Sequence, residues 1–119
     1  MKIISKMTLG TVQLGMDYGI NNTTGKPDMK AAHEILRTAL QNGITSLDTA
    51  NAYGDSENVI GSYLKQSNDN PFITTKFFTT SPPGTKSEDI EKEIYGYVEN
   101  SLQRLNVRKL DCLMLHRTI

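Results

Sequence analysis

The chain reads as an α/β protein built on a parallel sheet. Three observations predict this: four β-like apolar runs alternate with three segments of helical period, Gly, Pro and Asn cluster at the junctions, and several runs are too continuously apolar to leave one face in water. With 119 residues there is material for one modest core, and a single domain over 1–119 is expected.

The first run, Met7 to Val12, gives way to a Gly- and Asn-rich stretch from Gly15 to Pro27, the pattern of a strand followed by a long loop. Met29, Ala32, Ile35, Leu36, Ala39 and Leu40 then fall three and four apart, with Asp28 at the N-cap position and Gly43 just past the end, which predicts an amphipathic helix. Ile44 to Leu47 is a short strand that delivers Asp48 to a polar, turn-rich loop ending at Asp55. Ser56 is placed to cap a second helix, whose face is Val59, Ile60, Tyr63 and Leu64. Asn68 to Pro71 stops that helix and returns the chain to a strand, Phe72 to Phe77, with Lys76 at its far end. After a Pro and Gly loop, Thr79 to Gly84, the pair Thr85 and Glu88 matches a capping box for a third helix. Its face is Ile90, Ile94, Tyr97, Val98, Ser101, Leu102 and Leu105, and Asn106 can close it in the left-handed conformation. The last run, Leu110 to Leu115, leads straight into His116.

An open doubly wound sheet and a stretch of a (β/α)8 barrel both fit this order of elements, and the pattern alone leaves the choice open. Composition narrows the class of partner. Thirteen Lys plus Arg balance thirteen Asp plus Glu, which removes the electrostatic term behind non-specific nucleic-acid or anionic-membrane binding. No apolar run approaches the ~20 residues a membrane-spanning helix needs. The one cysteine, Cys112, has Leu110, Leu113, Met114 and Leu115 around it, the setting of a buried, inert thiol in a reducing compartment; a cytoplasmic protein is expected.

Asp48, Lys76 and His116 each stand at the end of a β-like run on three successive strands, and Tyr53 lies five residues after Asp48. In a parallel sheet these positions share the carboxyl edge, where α/β proteins build active sites. Taken singly, Asp48 is a loop cap, Lys76 a solvated strand end, Tyr53 a loop anchor and His116 a surface histidine. Their joint placement brings an acid, an ammonium, a phenol and an imidazole together. Other signals are weaker. Gly10 and Gly15 lack the Lys and Ser or Thr of a P-loop, and His33-Glu34 has Arg37 where a second metal-binding His would stand, so no metal site is expected.

The segment Leu47-Asp48-Thr49-Ala50-Asn51-Ala52-Tyr53-Gly54-Asp55-Ser56-Glu57 resembles the signature of aldo-keto reductases. Thr74-Thr75-Lys76 is similar to the family's strand-three lysine, Leu113-Met114-Leu115-His116-Arg117 to its strand-four histidine, and Leu9-Gly10-Thr11-Val12-Gln13-Leu14-Gly15 to its first strand. The Gly-Thr-Val-Gln opening with its Asp-Tyr-Gly-Ile-Asn loop looks most like bacterial members tied to sugar or surface-polysaccharide metabolism.

The resemblance implies a (β/α)8 barrel that reduces a small aldehyde or ketone with NADPH or NADH through a tetrad, here Tyr53, Lys76, Asp48 and His116. Tyr53 would protonate the alkoxide created by hydride transfer, with Lys76 as the neighbouring cation that makes the phenol a stronger acid. Asp48 would pair with Lys76, and His116 would donate a hydrogen bond that orients the carbonyl oxygen. Gly10, Thr11, Val12, Asp48 and His116 would touch the nicotinamide end of the cofactor.

The sequence runs through the fourth strand only, so the expected object is the amino-terminal half of such a barrel, a truncated form lacking the later loops that hold the cofactor's phosphate. Weak or absent activity of the 119 residues alone follows from that reading. Open edges on the first and fourth strands predict a homo-oligomer or a complementing half-barrel chain. The alternative is a non-catalytic dimerising or interaction domain derived from a reductase half barrel.

Overall fold

The computed structural model describes residues 1–117; Thr118 and Ile119, the end of the expected 1–119 domain, lie outside the described residues. Eight elements follow one another: β1 (Leu9–Gly10), α1 (Val12–Gly15), α2 (Met29–Gln41), β2 (Ser46–Asp48), α3 (Ser56–Gln66), β3 (Phe72–Phe77), α4 (Ser87–Leu105) and β4 (Cys112–Leu115). The four strands form one sheet in the order β1-β2-β3-β4, parallel throughout. The register aligns Gly10, Asp48 and Thr74 across three strands, and Lys76 with Met114 on the fourth.

The first strand is shorter than the run Met7 to Val12 predicts. Thr11 N–H still donates to Asp48 O at 3.0 Å, but the chain then winds into the single turn of α1, closed by Leu14 N–H to Thr11 O and Met16 N–H to Val12 O. That turn buries Leu14, so core burial overrides the β-like run. The second strand begins later than Ile44, because Ile44 N–H is still engaged by Ala39 O at the end of α2. Asp48 is therefore the last residue of β2 and not the first beyond it.

Caps account for the helix boundaries. Asp28 caps α2 as expected, its side chain accepting from Ala31 N–H at 2.8 Å, and Asn106 ends α4 with φ 55° and ψ 41°. The other two expected caps fail. Ser56 is the first residue of α3, not its cap, and its hydroxyl points into the core. Thr85 donates to Pro82 O at 2.6 Å and caps nothing; α4 starts after Lys86 without a side-chain cap. In both places another partner takes the hydroxyl.

The core lies between the sheet and the helices: Leu14, Ala32, Leu36, Leu47, Val59, Ile60, Tyr63, Ile73 and Leu105. Along β3 burial alternates, with Ile73, Thr75 and Phe77 buried toward the helices and Thr74 and Lys76 on the half-covered opposite face. Double-sided coverage of this strand, expected from its composition, is thus incomplete. Met114 and Leu115 of β4 are exposed, and Cys112 is half-buried where full burial was expected. Helices α3 and α4 meet at Gly61, where an added Cβ would lie 1.9 Å from Arg104 O. No helix among the described residues is long and apolar enough to cross a membrane.

Candidate active site

The carboxyl end of β2 is held from three directions. Asp48 O accepts from Thr11 N–H and, at 2.8 Å, from the Thr11 hydroxyl. Beyond the strand, Thr49 N–H donates to Thr74 O and Asn51 N–H to Lys76 O, both at 2.9 Å, so the chain stays paired to β3 until it turns. A buried hydroxyl cluster then fixes the loop: Ser56 Oγ lies 2.9 Å from Thr49 Oγ1 and 2.8 Å from Thr11 Oγ1. All three residues are buried, and a fully satisfied polar cluster of this kind specifies one arrangement.

That loop presents Tyr53. Its N–H donates to Ala50 O at 3.1 Å and its own carbonyl accepts from Ser56 N–H at 3.0 Å. Gly54, at φ +54°, lies against Gly15 O closely enough that a Cβ would come within 2.4 Å. Only glycine takes both the left-handed backbone and the contact without strain.

Lys76 leaves β3 on the half-covered face and ion-pairs with Asp48 Oδ1. Its ammonium also donates to Thr49 O at 3.0 Å and stands 5.1 Å from the centroid of the Tyr53 ring. The Lys76 side chain is only 14% exposed and that of Asp48 37%, so the pair is partly desolvated while one side stays open. A cation held this way carries its field to the phenol with less screening than bulk water imposes.

His116 follows β4, and its N–H donates to Phe77 O at 2.8 Å. The imidazole meets the Tyr53 ring edge to face, 5.5 Å between centroids at 85°. Asp48, Tyr53, Lys76 and His116 therefore gather at one end of the sheet, linked in series by an ion pair, a cation–π contact and an aromatic contact. An ammonium, a phenol and an imidazole gathered at one end of a sheet can bind an electronegative oxygen and hand it a proton.

The residues expected at a nicotinamide separate into two groups. Gly10 lies beside Asp48 in the register, with nothing within 4 Å of the place a Cβ would take. Thr11 is buried, its hydroxyl committed to Asp48 O, and Val12 opens α1 half-buried. Sequence reasoning missed Thr11 and Ser56 as supports of the Tyr53 loop. It also missed Glu57, a buried carboxylate whose Oε1 accepts from Thr75 Oγ1 at 2.6 Å and Ser101 Oγ at 2.8 Å. The available signal was a charged residue directly after an expected helix start, inside an otherwise apolar face.

A family model described as the Aldo/keto reductase family matches residues 6–119. Aldo-keto reductase YhdN of Bacillus subtilis is 32% identical over 117 residues, which cover 94% of this chain and 34% of that protein. Aldo-keto reductase AKR11C1 from Bacillus halodurans in its holo form superposes with a TM-score of 0.67 at 27% identity, over 94% of this chain and 36% of that one. An aldo-keto reductase from Klebsiella pneumoniae in complex with NADPH gives 0.66 at 25% identity, over 98% and 37%. The chain spans about a third of the length of the curated relatives it matches. Its four strands and intervening helices correspond to the first half of the barrel in these structures. On its sequence and its architecture alike, the chain belongs to the aldo/keto reductase family.

Proposed function

We propose that this chain carries the proton-donating end of an NAD(P)H-dependent carbonyl reductase, acting on a small aldehyde or ketone. The observation that carries the reading is the convergence of Tyr53, Lys76, Asp48 and His116 at one end of a parallel sheet. Tyr53 gives its hydroxyl proton to the substrate oxygen. Lys76, 5.1 Å from that ring, stabilises the phenolate left behind, and Asp48 and Thr49 O keep the ammonium in place. His116 donates to the same oxygen and orients it.

The residues at this rim fit the nicotinamide end of a dinucleotide. Gly10 leaves open space at the end of β1, and the part-exposed Asp48 carboxylate beside it can accept from an amide. Gly10, Asp48 and His116 would hold that end, with Val12 flanking it and Thr11 contributing through its support of Asp48. NADPH or NADH supplies the hydride when bound. Phosphate recognition is not assigned to these four strands. Charge-assisted contacts are worth ~1.5 to 3 kcal/mol each, so the 119 residues offered the cofactor by themselves bind it weakly and turn over slowly, at a rate an assay with excess NADPH still measures.

Exposed apolar side chains favour a partner for the half barrel. Ile35 of α2, Tyr95 of α4 and Met114 and Leu115 of β4 are all open to solvent, and β1 and β4 are edge strands. A second copy or a separate complementing half covers them. The same exposure is what favours the second reading, a non-catalytic dimerising domain. A neutral chain with a half-buried single thiol suits a cytoplasmic setting. NADPH fluorescence titration with aldehyde-dependent loss of the reduced-nicotinamide absorbance separates the readings: quenching and turnover support the reductase, and no binding at millimolar cofactor supports the dimerising domain.

A further inference from the structure

The hydrogen bond from His116 N–H to Phe77 O ties the residue just past β4 to the last residue of β3. Phe78 and His116 become lateral neighbours, and their rings stack with centroids 4.5 Å apart and planes within 4°. The same imidazole is the one set edge to face against Tyr53. Arg117 adds to the hold on Phe78, its guanidinium carbon 5.3 Å from that ring's centroid.

A functional imidazole ordinarily takes its ring plane and tautomer from a hydrogen bond to the nitrogen that does not act. His116 Nδ1 is buried and has no hydrogen-bond partner among the described residues. Without that bond the ring's rotation about its side-chain torsions is limited by packing alone. A parallel stack is well suited to the task, since turning the imidazole out of plane drives its edge into the Phe78 face.

We propose that Phe78 is a positioning residue of this site, whose ring fixes the plane of the His116 imidazole against Tyr53. The value of that plane for turnover rests on the reading of His116 as the donor to the substrate oxygen. The geometry itself does not depend on that reading.

The chain's two histidines, His33 and His116, make the test accessible by proton NMR on the full chain, with His33→Gln assigning the imidazole signals. In the parent protein the His116 ring protons lie upfield from shielding by Phe78 and show an NOE to the Tyr53 ring. Phe78→Ala removes the upfield shift and the NOE with the circular dichroism spectrum intact, and Phe78→Tyr restores both. Where Phe78→Ala does not fold, Phe78→Leu, which keeps bulk but offers no flat face, is read in its place with the same expected losses. An NOE absent from the parent, or unchanged in the folded alanine or leucine variant, overturns the proposal. Because neither readout is activity, its failure is distinguishable from failure of the reductase reading, which Tyr53→Phe turnover decides.

Discussion

A Cβ on Gly15 would lie 1.8 Å from the carbonyl oxygen of Tyr53 and 2.4 Å from the backbone nitrogen of Ser56. The one-turn helix α1 and the start of α3 are thus in backbone contact, stitched by Asp55 N–H donating to Gly15 O at 3.0 Å. The position of the phenol depends on a residue 38 places earlier that has no side chain of its own.

Gly15→Ala is expected to push the Tyr53 loop away from α1, since backbone on both sides cannot yield as a flexible side chain would. The expected cost is ~2 kcal/mol or more in urea unfolding, the range for overpacking a closed contact. An alanine variant as stable as the parent would contradict the contact.

Glu57 joins three elements, because Thr75 of β3 and Ser101 of α4 both donate to its Oε1 from α3. Arg104, 3.6 Å from Oε2, is the cation nearest its otherwise unpartnered oxygen. Glu57→Ala strands two buried hydroxyls and opens a cavity, with an expected loss of about 2 to 4 kcal/mol. Glu57→Gln keeps an acceptor for both hydroxyls and is expected to lose less than half as much. Chemical denaturation of the two variants side by side checks the order.

Asp48→Asn leaves the Lys76 ammonium with Thr49 O and without its carboxylate. Lys76 is the more buried partner, so Asp48→Asn is expected to destabilise more than Lys76→Met leaves Asp48 destabilised. The expected costs are about 1 to 3 kcal/mol for the asparagine variant and less for the methionine. Melting of the two single variants and the double variant gives the coupling.

Tyr63 gives the fold a pH dependence away from the site. Burial, reinforced by donation of its hydroxyl to the Asp69 carboxylate, pushes its ionisation from 10.0 up to about 12. The folded chain therefore holds the phenol neutral where the unfolded chain has begun to ionise it. This contribution to stability is fully present below pH 10 and is lost as pH rises to and through about 12. Tyr63→Phe is expected to be less stable than the parent below pH 10, and the gap is expected to close across that window. A gap that stays constant from pH 8 to 12, followed by urea midpoint, would remove the assigned cause.

Much of this was legible in the sequence because it is local or periodic. The spacing of Ala32 and Leu36, the Asp28 cap and the left-handed Asn106 follow from helix geometry, and the strand Phe72–Phe77 has its expected bounds. The gathering of Asp48, Lys76 and His116 was legible too, since parallel strands in consecutive order put their carboxyl ends side by side. What escaped is non-local. The hydroxyl of Ser56 has a local use as a cap, and only the approach of Thr11 and Thr49 draws it inward. The turn of α1 takes over at Val12, the end of the β-like run, because Leu14 gains a place in the core. The Phe78–His116 stack depends on the residue after β4 staying bonded to the end of β3, which no periodicity in either segment encodes.

Turnover of an aldehyde with NADPH by the parent and by Tyr53→Phe tests most directly whether Tyr53 delivers the proton in a reduced-nicotinamide-dependent carbonyl reduction. General acid catalysis of this kind contributes about 10² to 10⁴-fold, so the phenylalanine variant is expected to lose at least about a hundredfold in kcat with its NADPH quenching intact. Equal rates in the two proteins, or saturable NADPH quenching in the parent with no turnover of any aldehyde, would contradict it.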